Sequence, residues 1–257
     1  MKVLMIGDIV GKTGRRAVFN LLPRLKEELE VEATIANAEN AAGGFGLTPK
    51  IARQLFSYGI DVLTTGNHVW SKKEIFEIIE DERILRPLNY PDGVPGQGST
   101  FLQVGENLLG VINAGGRVFI RELDCPFVCA KKEAAQMQEK TPLIVVDMHG
   151  EATSEKVALG WYLDGLVSAV VGTHTHIQTA DEKILPQGTA YISDIGMTGP
   201  SDSVIGLKKE IALKRFLTQL PERLEVATGP GQLEGVLLDL DQKSGRAKSI
   251  TRIHRSY

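Results

Sequence analysis

Cysteine is almost missing from this chain: 257 residues carry two, Cys125 and Cys129. They stand four apart with Pro126 between them, which is neither a disulfide framework nor a zinc spacing. Unpaired core thiols in a reducing cytoplasm are the expectation. No run of basic residues is present, and no apolar run approaches membrane-spanning length. A net charge of −3 and a pI near 6.0 leave no global field to draw in nucleic acid or an anionic membrane. The first residues, Met1 to Asp8, are too short for a secretory signal and read as an opening strand. No repeat, low-complexity segment or linker interrupts the sequence, so a single domain over 1–257 is expected. What remains is ordinary for a soluble globular protein: 42% hydrophobic and 24% charged residues.

Hydrophobic periodicity divides the first third into strand–helix units. Residues 2–7 read as a strand. A helix from about Arg15 follows, with Val18, Leu21, Leu22, Leu25 and Leu29 at helical spacing. A strand at 33–36 leads to a glycine cluster, and Thr48-Pro49 opens a helix to about Tyr58 as N-cap and first-turn proline. A strand at 62–65 precedes a helix capped by Ser71 and running through Ile79. Such alternation predicts a parallel or mixed α/β sheet with right-handed crossovers.

Residues 86–100 are rich in proline and glycine and read as loop. A hairpin at 101–104 and 108–112 should open a second, more antiparallel sheet half. Then come a buried strand at 143–148, a helix from about Ser154 to Leu163, and a strand ending at Val170-Val171. A strand at 190–193, a helix marked by Leu213, Phe216, Leu217 and Leu220, and a closing hairpin at 236–240 and 249–253 about Gly245 complete the chain. The predicted architecture is α/β: two packed mixed β-sheets flanked by helices.

The strand ends carry the chemistry. Four of the five histidines, His68, His149, His174 and His176, directly follow apolar β-like runs. In extended backbone His174 and His176 face the same way, and open α/β sheets bind ligands past their strand ends. Asp8, Glu39, Asn40 and Asn67 occupy equivalent places. Carboxylate, amide oxygen and imidazole together suit first-row divalent metals. The lack of a thiolate disfavours a structural zinc. These donors are too many for one ion, and two ions sharing a carboxylate fit better, a geometry suited to phosphoryl displacement. The simpler readings are a helix-capping Asp8, a surface Glu39 and a turn Asn67. Asp194 is either a support for a ligand or a turn residue, and His254 reads as solvated surface. Gly43, Gly44 and Gly46 would let backbone N–H groups approach a phosphate, or simply make a flexible turn. Gly11-Lys12-Thr13 lacks the glycine register of a nucleotide-binding P-loop.

In order and type these motifs resemble the calcineurin-like metallophosphoesterases. The matches are Gly7-Asp8, Ala38-Glu39-Asn40, Gly66-Asn67-His68, Met148-His149-Gly150 and Gly172-Thr173-His174-Thr175-His176. Two departures, Val10 where a histidine is usual and Glu39 where an aspartate bridges, resemble the YmdB-like branch. So do the strings Asp8-Ile9-Val10-Gly11, Asn37 to Gly44, and Asp194 to Pro200. The resemblance implies a four-layer α/β/β/α sandwich. It also implies two divalent metal ions, iron or manganese foremost, with zinc or magnesium as alternatives. Asp8 and His176 would hold the first ion, Glu39 would bridge, and Asn67, His149 and His174 would hold the second. Asn40 would join the first ion or meet the phosphate, with Gly43 and Gly44 near it. His68 would be general acid or phosphate contact.

The implied activity is hydrolysis of small phosphodiesters, with 2′,3′-cyclic nucleotides the leading candidate. A hydroxide between the two cations would attack, since bound water is acidified there. Long nucleic acid is disfavoured as a partner, and a self-associating form is implied only by the resemblance. The competing expectation is a metal-containing regulatory or scaffold protein that acts by partner binding.

Overall fold

The computed structural model describes residues 1–257. β1 (Lys2–Ile6) and β2 (Asp8–Ile9) are separated by Gly7. A Cβ at Gly7 would stand 2.1 Å from the Gly196 carbonyl oxygen, so this approach requires glycine. α1 (Gly11–Leu29) starts at Gly11 rather than Arg15. Its first turn carries Gly11 and Gly14, which give no hydrophobic signal to read. β3 (Ala33–Asn37), α2 (Pro49–Ser57), β4 (Val62–Thr64) and β5 (Ile84–Leu85) follow, and β1, β3, β4 and β5 are parallel neighbours. Thr48 occupies the N-cap of α2 without a side-chain capping bond.

The helix expected after Ser71 is only a short 3₁₀ turn, Lys73–Glu77. Ser71 does not cap it. Its hydroxyl lies 3.3 Å from His68 Nδ1 instead.

β6 (Ser99–Val104) and β7 (Asn107–Gly115) form the expected hairpin. α3 (Pro126–Gln138), β8 (Ile144–His149), α4 (Thr153–Tyr162), β9 (Ala169–Thr173), β10 (Lys183–Ile184) and β11 (Ala190–Ile192) complete a six-stranded sheet of order β10-β11-β9-β8-β7-β6. This sheet is not the more antiparallel half that the hairpin suggested. β7, β8, β9 and β11 are mutually parallel, and only the edge strands β6 and β10 run against them. The reason is the crossovers: α3 and α4 carry the chain back between β7, β8 and β9, as parallel pairing demands. α3 gives little periodic signal because the residues it buries are small, Ala130 and Ala134 with Met137. Cys125 precedes α3 and Cys129 lies on it. Both thiols are free but only half-buried, at a helix surface rather than in the core.

β12 (Met197–Pro200), α5 (Lys209–Thr218), β13 (Gly231–Leu240) and β14 (Ala247–Ser256) return to the first sheet. β13 runs antiparallel to β1, pairing Leu4 with Leu237, and β12 lies parallel beside β2. The sheets stack face to face. Val3, Met5 and Ile35 of one meet Val111, Val145 and Val171 of the other in a shared buried layer. α1 and α2 cover the outside of the first sheet, and α3 and α4 cover the second. The chain thus builds two packed mixed sheets between helical layers, as its pattern predicted. No helix is long and apolar enough to cross a membrane.

Candidate metal centre

Parallel strands place their carboxyl ends along one edge, and both sheets present that edge to the same side. From the first sheet come Asp8 after β1, Glu39 and Asn40 after β3, and Asn67 and His68 after β4. From the second come His149 at the end of β8, and His174 and His176 after β9. Gly66 admits the close approach, since a Cβ there would stand 2.1 Å from the His149 ring.

His149 Nε2 is the crowded point. Glu39 Oε1 lies 3.0 Å away, His174 Nδ1 3.0 Å and Asn67 Oδ1 3.1 Å. One ring nitrogen carries at most one proton, so hydrogen bonding alone cannot satisfy three neighbours. With metal–ligand bonds of about 2.0–2.2 Å, adjacent ligands of an octahedral ion stand about 3.0 Å apart. Glu39, His149 and His174 also form a potential cation-binding group by mutual distance. The donor set therefore fits a divalent cation.

A second opening adjoins it. Asp8 Oδ1 is buried without a hydrogen-bond partner, as is Asn40 Oδ1. His176 Nε2 stands 3.7 Å from Asp8 Oδ1, too far for a hydrogen bond. Buried polar atoms are nearly always paired, so the orphaned Asp8 Oδ1 beside the His176 imidazole suits a further cation.

His174 and His176 do not reach the site by strand alternation. β9 stops at Thr173, and both histidines take left-handed backbone, with φ of 101° and 63°. Such conformations are costly for non-glycine residues and need external support. Asp8 Oδ2 accepts the His174 N–H at 3.1 Å, and Asp194 Oδ2 accepts the Thr175 N–H at 3.0 Å. Asp194 is itself paired at 2.8 Å with the fully buried Lys156, which also donates to the Thr173 carbonyl at 2.7 Å. Its other oxygen accepts the Gly196 N–H at 2.9 Å, next to β12 and Asp8. Asp194 thus supports the histidine turn rather than merely making one.

Charge is balanced by shared protons. Burial opposes ionisation of Asp8, but the His176 and His149 imidazoles and the His174 N–H outweigh it and hold the carboxyl well below its usual range. Burial likewise disfavours charged His149, yet Glu39 and Asp8 push its pKa up to about 9. His176 is raised to about 9 by Asp8 against the same burial. Burial and the His149 charge lower His174 to about 4.

The groups open into a cavity of about 330 Å³. Glu39, Asn40, His68, His174 and His176 line it together with the apolar Val10, Phe45, Ile205, Leu207 and Leu224. The His68 ring lies edge-on to Phe45 at 4.9 Å between centroids, and the His68 backbone N–H donates to Glu39 Oε2 at 2.9 Å. Gly44 lines the cavity, but its N–H donates to the Asn40 carbonyl at 3.1 Å and its carbonyl accepts from Asn40 Nδ2 at 2.9 Å. Gly46 N–H likewise bonds the Glu39 carbonyl. Gly43 is exposed and does not line the cavity. His254 is on the surface, 3.1 Å from Glu234.

Several contributors escaped the sequence reading. Glu151 stands 3.1 Å from His174 Nε2. Asn37, Asp147 and Lys156 lie behind the ligand groups, all buried. Asp147 carried one available signal: an acid inside the apolar run 143–148, two residues before His149 and so on its face of the strand.

A sequence profile described as "YmdB-like protein" matches residues 4–253. The 2′,3′-cyclic-nucleotide 2′-phosphodiesterase of Bacillus subtilis is 51% identical over 254 residues, covering 98% of this chain and 96% of that protein. A crystal structure of a hypothetical protein from Thermus thermophilus superposes with a TM-score of 0.94 at 42% identity, covering 100% of this chain and 99% of that one. A structure described as a novel phosphatase from Mycoplasma pneumoniae gives 0.94 at 33% identity, with 100% and 93% covered.

Proposed function

The chain belongs to the YmdB-like protein family, and from that membership we propose that its strand-end site hydrolyses small nucleotide phosphodiesters, with 2′,3′-cyclic nucleotides as the leading substrate class. The observation that carries this reading is the convergence of Glu39, Asn67 and His174 on His149 Nε2, with the orphaned Asp8 Oδ1 close to the same ring. The Bacillus relative supports the substrate class by its name and near-complete coverage.

Asp8 and His176 would hold one divalent cation, Asn67, His149 and His174 would hold another, and Glu39 would serve both. Iron or manganese suits this oxygen and nitrogen set, and zinc or magnesium is the alternative. Bound there, the pair would supply acidified water as nucleophile and neutralise charge on the phosphoryl oxygens. Asn40 keeps its Nδ2 on Gly44, and its free Oδ1 would meet the first cation or the phosphate. Gly43 and Gly44 act through the turn they form.

His68 serves the leaving oxygen. Burial holds its pKa below the usual value, so the ring is neutral near pH 7 and carries one N–H. The Ser71 hydroxyl lies 3.3 Å from Nδ1, and by donating there it would leave the proton on Nε2. The apolar lining residues Val10, Ile205, Leu207 and Leu224 would accept the nucleoside while the polar ones meet the phosphate. A cavity of about 330 Å³ is within the size range of small-molecule sites.

The test is turnover by purified protein with Mn²⁺ or Fe²⁺ on a panel of cyclic diesters, linear diesters and monoesters, with metal content measured on the same sample. Diester hydrolysis that EDTA stops is expected. Turnover of monoesters alone would overturn the substrate class, and metal-independent turnover would overturn the site.

A further inference from the structure

Behind the ligand groups lies a buried carboxylate to which no role has been given. Asp147 sits on β8, 1% exposed, between the two sheets. Hydroxyls reach it from both: Thr173 Oγ1 donates to Oδ1 at 2.7 Å, and Thr64 Oγ1 donates to Oδ2. Asn37 Nδ2 is 3.3 Å from Oδ2. The orientation of that amide is fixed independently, because Asn37 Oδ1 accepts the Glu39 N–H at 3.1 Å and leaves Nδ2 as the donor.

The protons can then be counted. Thr173 has one hydroxyl hydrogen, and it is engaged with Asp147. Yet Thr173 Oγ1 also lies 2.9 Å from His149 Nδ1. At that contact the hydroxyl can only accept, so His149 Nδ1 is the donor; Asn37 Nδ2 also lies 3.3 Å from that nitrogen, but its two hydrogens have the Thr65 carbonyl and Asp147 Oδ2 as acceptors, each at 3.3 Å. A neutral imidazole protonated at Nδ1 has its lone pair on Nε2, the atom on which Glu39, Asn67 and His174 converge.

We propose that Asp147, acting through the Thr173 hydroxyl, is a positioning device that keeps the His149 proton on Nδ1 and turns the Nε2 lone pair to a cation. The inference rests on the reading of His149 as a metal ligand and deepens it. Asp147 and Thr173 touch neither cation nor substrate; they act through His149. Partners of this kind fix ring orientation and raise ligand basicity, and their loss weakens metal binding by about 10–100-fold. The device spans the sheets, since Asn37 and Thr64 belong to one and Asp147, His149 and Thr173 to the other.

The test uses whole protein labelled with ¹⁵N-histidine and loaded with zinc, which is diamagnetic, together with calorimetric titration of Zn²⁺ and Mn²⁺. In the wild type, His149 should show a protonated Nδ1 and a zinc-bound Nε2. Thr173→Val keeps the side-chain shape and removes the hydroxyl. With its circular dichroism unchanged, this variant should bind cations about 10–100-fold more weakly and lose the protected Nδ1–H signal, and Thr173→Ser should restore both. A wild-type spectrum with the proton on Nε2 overturns the proposal without any variant. So does a Thr173→Val protein with unaltered affinity and an unaltered Nδ1–H signal, while the metal site itself would stand. A wild type that binds neither cation overturns the proposed function and this inference together.

Discussion

The two sheets bring different chemistry to one edge. The first supplies oxygen: Asp8, Glu39, Asn40 and Asn67. The second supplies nitrogen: His149, His174 and His176. Neither set alone is a dinuclear site. One would be a cluster of carboxylates and amides, and the other a group of imidazoles with no bridging anion. The site exists because the layer containing Val3, Met5 and Ile35 on one side and Val111, Val145 and Val171 on the other holds the edges in register. Packing between the sheets is therefore part of the site's geometry; of the outer helices, α4 reaches the site through Lys156, while the apolar layer under α1 contributes stability. Charge follows the same division: the carboxylates of the first sheet raise the pKa of His149 and His176 on the second.

The sharpest break of this complementarity is Glu39→Gln, which removes the one carboxylate assigned to both cations. Diester turnover should fall by roughly 10³-fold or more, the scale of a lost electrostatic stabiliser or larger, with the fold retained in circular dichroism. Turnover within tenfold of wild type would detach Glu39 from the site.

A paired substitution tests which packing layer matters. Ile35→Ala between the sheets and Leu22→Ala beneath α1 should each cost about 2–5 kcal/mol in urea unfolding. Only Ile35→Ala should also weaken Mn²⁺ binding under conditions where the protein stays folded. Equal weakening in both would mean that the outer layer shapes the site as well.

The pH dependence has a definite sign. His149 and His176 are raised to about 9 from a usual 6.5. Protonation of both therefore stabilises the cation-free fold fully below pH 6.5, and this contribution is lost as pH rises toward 9. Thermal melting in EDTA should drop across that window. Cation binding must displace the same protons, so Mn²⁺ affinity should rise over it. A flat affinity from pH 6.5 to 9 would contradict the assignment of these two rings as ligands.

The smallest effect is expected away from both layers. Leu217 on α5 is 83% exposed, and Leu217→Ser should change stability by no more than about 0.5 kcal/mol and leave cation binding unaltered. A larger loss in unfolding experiments would show that α5 is covered in solution.

Much of this organisation was legible in the chain. Apolar runs of strand length ending on Asp8, Glu39, Asn67 and His149 disclosed both the sheets and the edge that carries the site, because strand period and ligand chemistry are written locally. Where local signal was weak, the reading failed. α3 buries alanines rather than a leucine stripe, and Ser71 turned to His68 instead of capping a helix. Parallel pairing in the second sheet was hidden because pairing direction depends on how the chain returns, not on the strand residues. The histidine pair was found for an incomplete reason: it follows a strand, but its rings are aimed by left-handed backbone that Asp8 and Asp194 hold in place.

The sequence by itself determined which donor groups stand at strand ends and that the strands would stack in two sheets. Only the tertiary structure decided that oxygen and nitrogen donors from separate sheets converge within about 3 Å of His149 Nε2, and that Asp147, Lys156 and Asp194 stand behind them. The physical reason is range. Periodicity is imposed by neighbours a few residues away, whereas the directions of buried hydrogen bonds are fixed by partners brought together only when the two sheets close.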